Sequence, residues 1–169
     1  WAGSHHDSAD KLALDIYKPK KYLIEPQKEF DHKNYNADQF EGSYRVGATL
    51  SMFYSMQEAN KLKCEYEKEN EFKYDIVVRC RFDFGIFTKI NYEQFEYNDF
   101  IHFVDNCTHE RAMCMNDHFA FSKSEYMDVY SNTFDSIETI YNDQKTPFNP
   151  EIFLGRHVRK INRIPVTNV

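Results

Sequence analysis

The chain has 169 residues, 41% of them hydrophobic and 28% charged, with only five Gly and five Pro. That composition fits one ordinary domain with its own core and excludes a disordered or low-complexity chain. A formal net charge of -6 without a long run of Lys or Arg leaves out the basic stripe of a dedicated nucleic-acid binder, and no stretch approaches the length of a membrane span.

Asp7 or Ser8 can cap a short helix through Tyr17, with Leu12 and Ile16 one turn apart on its inner face and Pro19 as its stop. Tyr22-Leu23-Ile24 reads as a brief strand closed by Pro26. Gln27 to Glu41 is polar and aperiodic, and reads as a surface loop or a binding segment. From Ser43 to Glu67 a long helix is expected, because Val46, Leu50, Phe53 and Gln57 recur at helical spacing. Gly47 costs that helix about 1 kcal/mol by propensity, unless it permits close packing. Arg45 is a solvated residue or a phosphate contact at the helix start.

Tyr74 to Phe84 is the most informative stretch. Ile76-Val77-Val78 is a β-branched run suited to a buried strand. Arg79, Arg81 and Asp83 then alternate with Cys80, Phe82 and Phe84, so an extended chain places two guanidinium groups and a carboxylate on one face. Arg offers a planar fork of donors to phosphate oxygens, and a divalent ion takes carboxylates together with phosphate. An Arg–Asp ion pair that merely ends the strand is the structural alternative.

Thr88 to Phe95 reads as a short helix or turn, and Phe100 to Val104 as a strand. Asp105 to Met113 is a polar loop, and His118-Phe119-Ala120-Phe121 a short strand. Ser124 is a cap for a helix whose stripe Met127, Tyr130, Phe134, Ile137 and Tyr141 belongs to the core. Asn149-Pro150-Glu151 starts another helix, with cap, Pro at the first position and an acid in the first turn, running to Lys160. Ile161 to Val166 is a last strand. The alternation of elements, without internal repeat or linker, predicts an α/β fold: a single mixed sheet flanked by helices in one domain over residues 1–169. Cys64, Cys80, Cys107 and Cys114 lack a Cys-x-x-Cys pair, which argues against a zinc ribbon; free thiols in a reducing, cytoplasmic setting are the simplest reading, and pairing of the four is the alternative.

Tyr74 to Asp83 resembles the Asp-x-Asp-type region of GT-A-like glycosyltransferases found among bacterial surface-polysaccharide genes, large viruses and phages. Met52 to Asn60 resembles that family's preceding long helix, Met115 to Ser122 its Asn-Asp-x-Phe-Ala-Phe segment, and Pro150 to Val158 its closing helix. The resemblance implies a GT-A-like fold and transfer of a sugar from a nucleotide-sugar donor to a glycan or polysaccharide acceptor. It implies Asp83 at the metal- and phosphate-facing position, with Arg79, Arg81, Asn116 and His118 around the donor. It also implies Asp117 as the acceptor-side base and His157 as a second ligand of a manganese or magnesium ion. Arg81 stands where the plain motif has a carboxylate, so Arg81 can neutralise diphosphate directly and metal dependence stays open. Each residue has a plainer reading: Asn116-Asp117 as a turn before a strand, His157 as a structural histidine, and Glu151 as a first-turn acid. The resemblance further places a first strand and its nucleotide-contacting loop upstream of Trp1, making the chain an N-terminally trimmed fragment. A non-catalytic carbohydrate-binding or assembly module on the same scaffold is the alternative function. Walker, dinucleotide-binding and nucleophile-elbow glycine motifs are missing from the sequence.

Overall fold

A long amphipathic helix, α2 (Val46–Glu69), is the spine of the computed structural model, which describes residues 7–31, 34–35, 45–104, 113–144 and 147–168. Val46, Leu50, Phe53, Met56 and Gln57 are buried along it, in the spacing the sequence predicts. An added Cβ at Gly47 would meet nothing within 4 Å, so that glycine serves no close packing. α2 lies against α3 (Ser124–Ser131) and the 3-10 turn Asn132–Ser136 that joins α3 to α4 (Ile137–Gln144). Met127, Tyr130, Ile137 and Tyr141 are buried and Phe134 packs beside them, so the predicted aromatic stripe is core.

The sheet has four strands: β1 (Val77–Cys80), β2 (Ile101–Phe103), β3 (Phe119–Ser122) and β4 (Val166–Asn168). Their order is β1-β3-β2-β4; β3 is antiparallel to β1 and β2, whereas β4 runs parallel to β2. The architecture is therefore α/β around one mixed sheet. Val77, Ile101, Phe103, Ala120 and Val166 face the helices and join the main core. Phe119, Phe121 and His102 face the other way, under a second layer of rings from Phe84, Tyr92 and Phe95. None of the described helices is long and apolar enough to cross a membrane.

The junction of α2, β1 and α3 is held by one carboxylate. Glu67 is 1% exposed. Its Oε2 takes Lys73 Nζ at 2.8 Å and Lys63 Nζ at 3.2 Å, and its Oε1 takes Ser124 Oγ at 2.6 Å and the Tyr74 amide at 3.1 Å. Burial pushes this carboxyl up, but the donors outweigh it and hold it at about 2. The chain leaves α2 through a Schellman turn: Phe72 N–H bonds Glu67 O at 3.1 Å and Glu71 N–H bonds Lys68 O at 3.4 Å. Glu71 occupies the left-handed position at φ 54, where glycine is usual. Tyr66, Phe72 and Tyr74 close over the turn as a ring trio.

Several expectations are corrected. The predicted strand Tyr74–Phe84 is only Val77–Cys80 and lies at the edge of the described sheet, with Val78 41% exposed, because among the described residues β1 pairs with β3 alone. Tyr22–Ile24 has no partner strand among the described residues and is irregular and exposed. α1 (Asp7–Tyr17) forms as a helix, yet Leu12 and Ile16 are 59% and 63% exposed rather than inward. Lys123 is the cap of α3, and Ser124 spends its hydroxyl on Glu67 instead. The closing helix continues through a π-helical turn to Ile161, which shifts the last strand to Val166–Asn168. Cys114 is disulfide-bonded, while Cys64 and Cys80 are free. The predicted loop segments 36–41 and 105–112 lie outside the described residues.

Glu67→Gln is expected to cost about 3 kcal/mol in urea unfolding at neutral pH, since it leaves Lys63 and Lys73 facing a neutral amide. Because the folded carboxyl sits at about 2 against an ordinary 4.5, its contribution is complete above pH 4.5 and is lost as the pH falls toward 2. Urea midpoints compared at pH 7 and pH 3 should therefore fall less in Glu67→Gln than in wild type. Glu71→Gly should raise stability by about 1 kcal/mol in the same assay, by relieving the left-handed backbone.

Candidate functional site

β1 stops at Cys80, but its ladder extends one step further: the Arg81 amide donates to His118 O at 2.9 Å. The chain then turns, with Phe84 N–H on Arg81 O at 3.1 Å. The turn folds Asp83 back onto Arg81. Arg81 Nε reaches Asp83 Oδ1 at 2.8 Å and Nη2 reaches Oδ2 at 2.5 Å, a bidentate fork. Arg81 Nη1 meanwhile donates to Asp117 Oδ2 at 3.1 Å. One guanidinium thus bridges two carboxylates of unlike surroundings: the Asp117 side chain is 5% exposed and the Asp83 side chain 47%. The Arg81 hydrogen bonds hold Asp83 down at about 2, and those bonds in turn keep Arg81 firmly protonated.

Asp117 is positioned from the other side of the sheet junction. Asn116 Oδ1 accepts the His118 amide at 2.8 Å, a tight turn that leads directly into β3. His118 Nε2 lies 3.8 Å from Asp117 Oδ1, outside hydrogen-bond range. Helix α5 (Pro150–Gly155) supports this segment. Its cap, Asn149, accepts the Ile152 amide at 3.2 Å, as the Asn-Pro-Glu start predicts. Glu151 O accepts the Met115 amide at 2.9 Å, and Asn116 Nδ2 approaches Glu151 Oε1 at 3.5 Å. Gly155 lets the two backbones touch, since a Cβ there would sit 1.7 Å from Met113 O.

Arg79 enters from the helix-facing side, in line with Val77. Its Nη1 is buried without a hydrogen-bond partner, as is the hydroxyl of Tyr130. Burial raises the Tyr130 hydroxyl; Arg79 opposes that and Asp117 adds to it, so both charges act at that one oxygen. The structure therefore brings Arg81, Asp83, Asp117 and His118 together, with Arg79 nearby and not paired to Asp83.

His157 is not part of this group. It is 6% exposed, with Nδ1 at 2.8 Å from Ser136 Oγ and Nε2 at 2.9 Å from Val129 O. Burial lowers its pKa, so it is a neutral histidine that ties the closing helix to α3 and the following turn. Asp83 and His157 do not form a ligand pair, since Arg81 takes both oxygens of one and protein atoms take both nitrogens of the other. Among the described residues no group of three or more His, Cys, Asp or Glu side chains is placed to hold a metal. Two surface pockets, of about 390 Å³ and 300 Å³, are lined by other residues. The smaller contains His102, which carried no signal in sequence beyond a histidine inside an apolar strand.

No family model matches the chain, and neither the curated proteins nor the solved structures yield a similar one.

Gly155→Ala is expected to cost about 3 kcal/mol, the upper end of overpacking effects, because Met113 and Cys114 backbone must move. Amide exchange should report the opening first at Met115 and His118.

Proposed function

We propose that this chain is the core of a nucleotide-sugar-dependent glycosyltransferase with a GT-A-like scaffold, moving a sugar to a glycan or polysaccharide acceptor. The observation that carries the reading is Arg81 held between a buried and an exposed carboxylate at the exit of β1, beside an Arg79 nitrogen that has no partner. A departing nucleoside diphosphate needs fixed positive charge where its oxygens gain charge. Asp117 fixes the guanidinium from below, and Asp83, the exposed partner, is the group an incoming diphosphate displaces. The ordered resemblance of the β1 stretch, α2, the Asn116-Asp117 turn and α5 supports the same reading.

Asp117 has a double part in this scheme. Oδ2 orients Arg81, which leaves Oδ1, 3.8 Å from His118 Nε2, as the oxygen assigned to take the acceptor hydroxyl proton. Asn116 sets the turn that holds both residues. The Asp83–His157 arrangement does not fit a divalent ion, because Arg81 takes both Asp83 oxygens and protein atoms take both His157 nitrogens.

A non-catalytic carbohydrate-binding or assembly module on the same scaffold is favoured by one observation: both Asp83 oxygens are consumed by Arg81. Calorimetry with UDP- and GDP-sugars, with and without manganese, separates the two. The transferase reading expects donor binding that weakens by about a hundredfold in Arg81→Ala, the value of a lost charge-assisted bidentate contact. Asp83→Asn should tighten metal-free binding by removing the competing carboxylate. Undiminished binding by the Arg81→Ala, Asp83→Ala double variant overturns the reading. Glycan-array binding without any nucleotide-sugar turnover selects the module.

A further inference from the structure

The most exposed apolar side chains of the protein stand on the turn that leaves β1. Phe82 is 87% exposed and Phe87 99%, with Ile86 also open to solvent. The Phe82 ring meets that of Tyr17 at the end of α1, centroids 5.4 Å apart, so the helix continues the same surface. Helix α1 is set down the unusual way round. Asp10 and Leu14, one turn apart, form its half-buried side, while Leu12, Ala13 and Ile16 face out. An amphipathic helix on a globular domain ordinarily turns its apolar stripe inward. Tyr22, Leu23 and Ile24 are exposed a few residues further on. Scattered exposed apolar residues need no explanation, whereas a connected group of this size marks a surface that something covers.

The charge on these segments is opposite in sign to that of the whole chain. Residues 7–24 and 79–89 carry seven Lys and Arg against four Asp and Glu, a formal +3 within a chain of -6. Lys11, Lys18, Lys20 and Lys89 are exposed and form no ion pair among the described residues. Lys21 is tied to Glu65 and Glu69 of α2, at 3.3 Å and 2.6 Å, which anchors the segment after α1 to the body. Of the described acids in these segments, Asp83 is engaged by Arg81 and Asp10 is half-buried, which leaves Asp15 facing out. Unpaired lysines beside exposed phenylalanines discriminate between occupants. Interfaces between proteins are depleted in Lys. The boundary of a bilayer takes both groups at once: rings and aliphatic chains enter at the acyl edge, and Lys stems reach up to the headgroups. Anionic headgroups supply the charge that a basic face on an acidic protein attracts.

We propose that α1, the exposed Tyr22–Ile24 segment and the turn after β1 dock this protein on the surface of an anionic phospholipid bilayer. Phe82 and Phe87 enter the interface, and Lys11, Lys18, Lys20 and Lys89 meet the headgroups. The protein lies on that surface and does not cross it through any described helix. Docking does not depend on transfer at Arg81 and would serve a binding module equally.

The test is flotation of the intact chain with vesicles of phosphatidylcholine alone and of an equimolar mixture with phosphatidylglycerol, at low and high salt. The chain should float with the mixed vesicles at low salt, detach from them at high salt, and stay behind when the lipid is phosphatidylcholine alone. Phe82→Ser and Phe87→Ser should each weaken partitioning by about tenfold, as the loss of one buried ring predicts. The Lys18→Gln, Lys20→Gln double variant should weaken it by about tenfold or more. Leu12→Ser, Ile16→Ser tests the helix alone, away from the Arg81 turn, and should weaken partitioning as well. Thermal midpoints should be unchanged throughout, because all six side chains are exposed. Failure to bind the mixed vesicles, equal binding to the neutral ones, or full binding by the Phe82→Ser, Phe87→Ser double variant overturns the proposal. So does a lipid-free dimer in light scattering that this double variant dissociates, because a second copy would then cover the surface. Nucleotide-sugar binding at Arg81 is measured without vesicles, so the two readings fail separately.

Discussion

The register of β1, and with it the face that Arg79 takes, traces back to the buried carboxylate of Glu67. It accepts the Tyr74 amide, three residues before the first β1 pair, and the Ser124 hydroxyl, two residues after the last residue of β3. Those two bonds clamp the matching ends of adjacent strands, where Val77 faces Ser122. Register in a sheet is all or nothing: a slip of one residue turns every side chain to the opposite face. With the clamp in place, Val77 and Arg79 point toward the helices. Slipped by one, Arg79 would face the outer ring layer and lose its proximity to Tyr130 and Asp117. A hydrophobic residue at position 67 would fill the volume but could not tie two amide-bearing segments and two lysines to one point. That is the sense in which a buried charge here fixes one arrangement among several, rather than merely adding stability.

The same distinction between local and distant causes explains what the sequence disclosed. Helix α2 and the Asn149-Pro150-Glu151 start were legible because their causes lie within one or two turns: a repeating apolar stripe, and a cap bonding an amide three residues on. The α/β class followed from the alternation of such signals. Other features depend on partners far along the chain. Ile76-Val77-Val78 reads as a buried strand, yet only the pairing order decides that it lies at an edge. Ser124 has every property of a cap, but Glu67, 57 residues away, claims its hydroxyl. Tyr22-Leu23-Ile24 has strand propensity and finds no strand to pair with among the described residues. The alternation of Arg79, Arg81 and Asp83 suggested a common face through extension. Arg81 and Asp83 do meet, but by a turn, because a short carboxylate two residues from a guanidinium can close a bidentate fork that an extended chain would hold apart. His157 was read as a ligand or a structural residue; the bonds to Ser136 and Val129 that decide it come from partners 21 and 28 residues away, which no pattern local to the closing helix announces.

The asymmetry of the two carboxylates on Arg81 decides how this cluster can respond to an anion. An ion pair open to solvent contributes about 0 to 1 kcal/mol, whereas removing one partner from a buried pair costs about 3 to 5 kcal/mol. Asp83 is on the first side of that divide and Asp117 on the second. An anion approaching from solvent therefore meets little resistance in replacing Asp83 and a great deal in replacing Asp117. Release of Asp83 frees Nε and Nη2 of Arg81 together, the two donors whose spacing matches two oxygens of one phosphate. Asp117 keeps the plane of the guanidinium fixed during that exchange, so the fork does not have to be ordered anew. The two halves of the cluster thus differ in kind: its exposed half is the replaceable one, and its buried half is what Gly155, Glu151 and Asn116 support from beneath.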